Sequence, residues 1–224
     1  MTAKKNIHAT ALIAGGIPAG KIWRNPNPFF VKDHQAHPRH HGYVLFVGRL
    51  VRQKGILTLL SAMKKCGPNS RLVIVGQGEL ADTVQESIQS SGLSDRIDFA
   101  GPRWGDEVSR LVENCAAVVI PSEWYDNLPM ILCRANAMGK PVIASRINGI
   151  PEYVRDGVNG YLFEPGNAVE LANSIDRVLG LPDPEYAGLS RSSRQFAEDF
   201  LDYPNHYANL MDQIQRILNG SLRQ

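Results

Sequence analysis

From residue 43 onward, short runs of aliphatic and aromatic residues alternate with segments whose apolar positions recur at helical spacing. Each run stops at Gly, Pro or Ser, where a loop begins. The runs lie at 43–47 (YVLFV), 71–75 (RLVIV), 97–99, 116–120 (AAVVI), 141–144 (PVIA) and 161–163. Most are apolar at every position instead of every second one, the pattern of strands covered by helices on both faces. Between the first two runs, Ile56, Leu59, Leu60 and Met63 fall at i, i+3, i+4 and i+7 and form one helical stripe. Further helices are predicted over 79–91, 107–115, 129–138 and 168–179. Strict alternation of strand and helix, with short connections and right-handed crossovers, predicts an α/β fold: a doubly wound, Rossmann-like parallel sheet over residues 41–182. Its ligand crevice belongs at the carboxyl ends of the strands.

The flanks differ in kind. Residues 24–40 (RNPNPFFVKDHQAHPRH) carry three prolines, three of the six histidines and no period, so residues 1–40 read as an irregular lead-in. Residues 183–224 hold two amphipathic stretches, 185–201 and 206–218, separated by Asp202, Tyr203 and Pro204. They form a helical tail that packs on the sheet or on a neighbouring domain.

Composition narrows the function classes. The 224 residues are 43% hydrophobic and 21% charged, an ordinary globular balance, and a net charge of +2 is too small to argue for nucleic acid as a partner. The three cysteines, Cys66, Cys115 and Cys133, are far apart in helical or apolar surroundings and read as packing thiols of a reducing compartment. With neither a spanning apolar run nor a secretory signal, the chain is expected to be soluble and cytoplasmic. The histidines at 34, 37, 40 and 41 have no metal-ligand spacing, and Pro38 interrupts any helix that would align them, so no metal is expected.

Three loops carry candidate chemistry. After the first strand comes GRLVRQKG, in which Arg49 offers a planar multi-donor fork and Lys54 a compact charge, a pair suited to a diphosphate. Gly48 and Gly55 let backbone approach closely, and the loop lacks the P-loop ending in Gly-Lys-Ser/Thr. The second loop, VGQGEL, is a truncated dinucleotide fingerprint in which Gly76 serves at least as a tight turn. In the third, PSEWYDNLPMILCRANAMGKP, Pro129 suits the first turn of a helix whose amino end is an anion site. Asp126 either caps that helix or accepts hydrogen bonds from ligand hydroxyls, and Arg134 lies eight positions on, about two turns away. The phrases NGIPE and DGVNG bracket a short helix with turn signals.

Taken together, FVGRLVRQKGI, LVIVGQGEL, PSEWYDNLPMILCRANAMGKPVIAS and GIPEYVRDGVNGYLF resemble the C-terminal, donor-binding domain of retaining glycosyltransferases of the GT-B fold, family GT4. GGIPAGKIWRNPNPF is similar to that family's segment leading out of the N-terminal domain. The resemblance implies that Arg49 and Lys54 bind the diphosphate of a UDP- or GDP-sugar, which is a substrate, and Gly48 and Gly76 are counted beside them as candidate donor-binding positions; no cofactor is implied. It further implies that Phe99, Gly101 and Pro102 meet the nucleobase, and that Asp126, Asn127, Leu128, Pro129 and Met130 meet the transferred sugar and phosphate, with Asp126 as the catalytic carboxylate.

Two departures shape the expected function. The family's paired glutamates fall on Asp126, a shorter acid, and on Arg134, whose guanidinium donates where the family's second glutamate accepts from ribose hydroxyls. Only about 40 residues precede the first strand, so the acceptor-binding domain is expected to be missing. The leading expectation is a hexosyltransferase donor domain, inactive alone, either a piece of a larger enzyme or a subunit completed by a separate acceptor-domain chain; the acceptor domain would bring the sugar, lipid or small-molecule acceptor and any membrane contact. A degenerate nucleotide-sugar-binding or protein-interaction domain is the alternative, and a sugar-nucleotide epimerase is a more distant one.

Overall fold

In the computed structural model, residues 7–23, 27–126 and 128–219 are described, with side chains from Ala9 onward. Six strands form one parallel sheet in the order β3-β2-β1-β4-β5-β6. They are β1 (Tyr43–Val47), β2 (Arg71–Val75), β3 (Ile97–Gly101), β4 (Ala117–Ile120), β5 (Val142–Ser145) and β6 (Gly160–Phe163). The helices are α1 (Ile7–Ala14), α2 (Ile56–Met63), α3 (Ala81–Ser90), α4 (Gly105–Asn114), α5 (Met130–Ala137), α6 (Ala168–Leu179), α7 (Asp183–Phe200) and α8 (Tyr203–Leu218).

The continuous apolar strands are explained by two cores. Val44, Phe46, Leu72, Ile74, Val119 and Ile143 point to the face covered by α2, α3 and α6. Their neighbours Leu45, Val73, Val75, Val118, Ile120, Val142 and Ala144 point to the face covered by α4 and α5. Successive strand residues face opposite sides of a sheet, so burial on both sides requires apolar residues at every position. Helix α7 serves both cores, giving Tyr186 and Leu189 to the first and Phe196 and Ala197 to the second. The Tyr186 hydroxyl donates to the Ala116 carbonyl at 2.9 Å, which sets α7 at the amino ends of the strands, opposite the crevice.

The predicted bounds of β1, β2, α2 and α6 agree with the observed ones, and the others move by a few residues. Strand β3 runs on to Gly101 because its last pairing, Val75 with Gly101, is made by backbone across a register shift. Helix α5 begins only at Met130, with Pro129 as an extended N-cap and no side-chain cap. Helix α1, in the segment read as irregular, was not anticipated.

The lead-in is tied down by specific bonds. Phe29 N–H donates to the Leu201 carbonyl at 2.9 Å and Tyr203 N–H to the Phe29 carbonyl at 3.0 Å, a one-residue bridge between the lead-in and the start of α8. Val31 is fully buried, and Arg194 donates to the carbonyls of Val31, His34 and Ala137. Lys140, wholly buried, donates to the Arg39 carbonyl at 2.7 Å, and burial lowers its pKa to about 8. By contrast α8 has no buried residue, and Tyr207, Met211, Ile214 and Leu218 are exposed at i, i+4, i+7 and i+11. No helix among the described residues is long and apolar enough to cross a membrane.

The cysteines are all buried and unpaired, and burial pushes each thiol up to about 12 from 9.0. A folded-state value above the unfolded one gives stability that is complete below pH 9 and lost as pH rises toward 12. The three thiols together therefore make stability fall above pH 9, and Lys140, whose folded pKa is lowered, offsets only part of that fall between pH 8 and 10.5. The urea midpoint is therefore expected to hold between pH 7 and 8.5 and fall steeply above pH 9. A midpoint that still rises at pH 10 would contradict this assignment.

Candidate functional site

In a doubly wound sheet the crevice opens where the strand order reverses. Here that point lies between β1 and β4: chain order runs β1 to β2 to β3 one way and β4 to β5 to β6 the other. Two loops meet across it, residues 48–55 after β1 and residues 121–129 after β4. Both lead into a helix, α2 and α5, whose amino end carries partial positive charge.

The two loops are clasped. Glu123 N–H donates to the Gln53 carbonyl at 2.9 Å, and Thr58 Oγ1 donates to Glu123 Oε1. Gly55, in the left-handed region at φ 67°, lies directly against the Pro121 carbonyl; a Cβ there would sit 1.7 Å from that oxygen. Lys54 Nζ donates to Asp126 Oδ2 at 2.5 Å, and Ser122 Oγ reaches the same oxygen at 3.1 Å. Residues 72 apart in sequence thus form a partly buried ion pair, their side chains 30% and 16% exposed. No described group bonds Asp126 Oδ1.

Arg49 stands in the same loop with its side chain exposed and no partner among the described residues. The loop thus presents Lys54 already neutralised, and Arg49 and Arg52 exposed without a side-chain partner among the described residues. Behind it, the glycines form a tight floor: Gly48 N–H donates to the Val75 carbonyl, Gly76 N–H to the Gly101 carbonyl, and a Cβ on Gly76 would lie 1.9 Å from the Gly48 carbonyl oxygen. Three strand ends, β1, β2 and β3, are therefore drawn together at their carboxyl edge. Phe99 is partly buried against the first core, and Pro102 follows β3 half-buried.

On the β4 side, Leu128 packs against the second core and Met130 is 50% exposed. Asn127 lies outside the described residues. Asp126 does not cap α5; its carboxylate is engaged by Lys54 and Ser122. Nor do Asp126 and Arg134 share a helix face, because Pro129 holds an extended conformation and α5 starts after it. Arg134 is half-buried and donates to the Gly105 carbonyl at 3.4 Å, joining α5 to the start of α4.

Ser122, Thr58 and Glu123 were not singled out from the sequence, where a serine or threonine in a loop carries no signal without its partner. At the end of β5 and in the loop after it, Ser145 Oγ and Asn148 Nδ2 are buried without partners among the described residues, and Asn148 takes φ 48°. The histidines are spent separately: His37 on Glu113, His34 on the Phe30 carbonyl and His40 as acceptor from Gly42 N–H. Among the described residues no three His, Cys, Asp or Glu side chains gather as a metal site.

A basic loop beside a carboxylate thus stands at the switch point of a parallel sheet, where folds of this kind place their ligands. The chain is 33% identical over 168 residues to D-inositol 3-phosphate glycosyltransferase of Mycolicibacterium smegmatis, covering 73% of this chain and 38% of that protein. Among solved structures, the Anabaena protein HepE in complex with UDP-glucose superposes with a TM-score of 0.81 at 25% identity, covering 92% of this chain and 60% of that one. Sucrose-phosphate synthase from Thermosynechococcus elongatus matches with a TM-score of 0.81 at 26% identity, covering 96% of this chain and 57% of the other. The chain spans 35–50% of the length of the curated relatives it matches. The profile of the Glycosyl transferases group 1 family matches residues 30–196, well over half of the sequence and both loops of the clasp, and the chain belongs to that family.

Proposed function

We propose that this domain binds the donor of a retaining glycosyl transfer, a UDP- or GDP-hexose, and acts as the C-terminal half of a GT4-type enzyme in the cytoplasm. The observation that carries the proposal is the Lys54–Asp126 contact across the β1/β4 switch point, made by the same loop that carries the exposed Arg49. Arg49 and Lys54 take the diphosphate, and the amino ends of α2 and α5 add partial positive charge. Phe99, Gly101 and Pro102, at the end of β3, receive the base. Asp126 accepts from sugar hydroxyls and is the residue through which the transferred sugar is held. The HepE complex with UDP-glucose supports a uridine donor.

Transfer requires an acceptor held beside the donor in a closed site. We assign that role to a second unit bringing a sugar, lipid or small-molecule acceptor, and assign its docking to the exposed stripe of α8. The relatives' greater length supports such a unit, as does the junction at Phe29 and Asp202, from which α8 leaves the domain next to the lead-in. A second reading, a binding domain without transfer, is favoured by Arg134, which offers no acceptor to ribose hydroxyls and is already engaged with Gly105.

A radiolabelled nucleotide sugar separates the two. The chain alone is expected to bind donor without transferring sugar, and transfer is expected on adding the acceptor-binding half of a related enzyme. Donor binding with no transfer in any such mixture would favour the second reading.

A further inference from the structure

We infer that the Lys54–Asp126 ion pair is a latch that the incoming diphosphate opens, and that Ser122 is the positioning residue that keeps the released carboxylate in place for the sugar. This rests on the donor-binding reading above.

Without Asp126, Lys54 would be a partly buried cation with no counter-charge. Asp126 supplies one at 2.5 Å. A diphosphate carries two or more negative charges and meets Arg49 as well as Lys54, so it outcompetes a single carboxylate for the ammonium. Once Lys54 turns to phosphate, Asp126 loses its charge partner but keeps its hydrogen bond from Ser122, which is 1% exposed at the end of β4 and has no freedom to follow the ligand. The carboxylate, still held by Ser122, then accepts a hydrogen bond from a hydroxyl of the sugar attached to that same diphosphate. Glu123, fixed by Thr58 and by the Gln53 carbonyl, holds the loop between them against sliding.

Two consequences distinguish a latch from a static ion pair. The first is that Asp126 opposes binding of the nucleoside diphosphate itself, by occupying Lys54 and by repelling phosphate, and favours binding only when a sugar is present. The second is that Ser122 affects the sugar's contribution and leaves that of the diphosphate alone. A merely structural role for either residue would move both ligands together.

The test is calorimetric titration of the full chain, first with UDP, GDP and ADP to identify the base, then with that diphosphate and its glucose conjugate. Binding of none of the three by the folded wild-type chain overturns the donor reading itself, before any variant is compared. Asp126→Asn is expected to bind the free diphosphate about 5- to 10-fold more tightly and to lose most of the affinity that the sugar adds. Ser122→Ala is expected to leave diphosphate affinity within about 2-fold and to weaken the sugar conjugate about 5-fold, with Ser122→Thr restoring it. Diphosphate affinity unchanged or weakened in a folded Asp126→Asn chain overturns the latch. Equal losses for both ligands in Ser122→Ala overturn the positioning role.

Discussion

Gly55→Ala is expected to cost the domain about 3–5 kcal/mol, enough to leave much of the chain unfolded if its total stability lies at the low end of the usual range of about 5–15 kcal/mol. Two terms add. Holding an L-residue at φ 67° costs roughly 1–2 kcal/mol, and inserting a methyl into packed backbone costs about 1–3 kcal/mol or more. The second term is at its upper end here, because the obstacle 1.7 Å away is the Pro121 carbonyl oxygen, fixed at the end of β4, and not a side chain that can rotate. Gly42→Ala is the internal control. Its φ is 78°, yet nothing lies within 4 Å of a Cβ, so only the backbone term of about 1–2 kcal/mol applies. Urea unfolding of both variants checks this: equal losses would mean that the two loops do not approach as described.

The double substitution Arg49→Ala, Lys54→Ala is expected to leave the fold intact and weaken nucleoside diphosphate binding by roughly 10²- to 10⁴-fold. Each cation makes charge-assisted bonds worth about 1.5–3 kcal/mol, and tenfold in affinity is about 1.4 kcal/mol. The stability cost is small because Arg49 is exposed and Asp126 keeps Ser122 and some contact with water. A partly buried ion pair such as this contributes about 1–2 kcal/mol to folding, between the values for exposed and fully buried pairs and short of what would unfold the chain. Calorimetry and an unfolding curve on the same preparation check both halves. Binding within twofold of wild type would remove these residues from the site.

How much of this was legible in the sequence depends on whether the cause was local. Strands such as β1 and β2 and helices such as α2 and α6 declare themselves, since burial of both sheet faces imposes continuous apolar runs and burial of one helix face imposes the 56, 59, 60, 63 spacing. Arg49 and Lys54 were visible as cations in a loop after a strand, because the loop, the strand and the charges are neighbours. The partner of Lys54 was not. Asp126 is 72 residues away, and only the reversal of strand order brings β4 beside β1. Spacing also misled: eight residues suggest one helix face for Asp126 and Arg134, but the extended Pro129 starts α5 too late for Asp126 to lie on it. Phe29 and Asp202 illustrate the same limit, since two backbone bonds between distant irregular segments leave no trace in periodicity.

The most direct measurement is calorimetric titration of the folded wild-type chain with UDP, GDP and ADP. Saturable binding of one of the three, abolished by Arg49→Ala, Lys54→Ala, is the predicted result and identifies the donor's base. Absence of binding for all three, from a chain whose unfolding curve shows it to be folded, would contradict a donor site at the β1/β4 switch point.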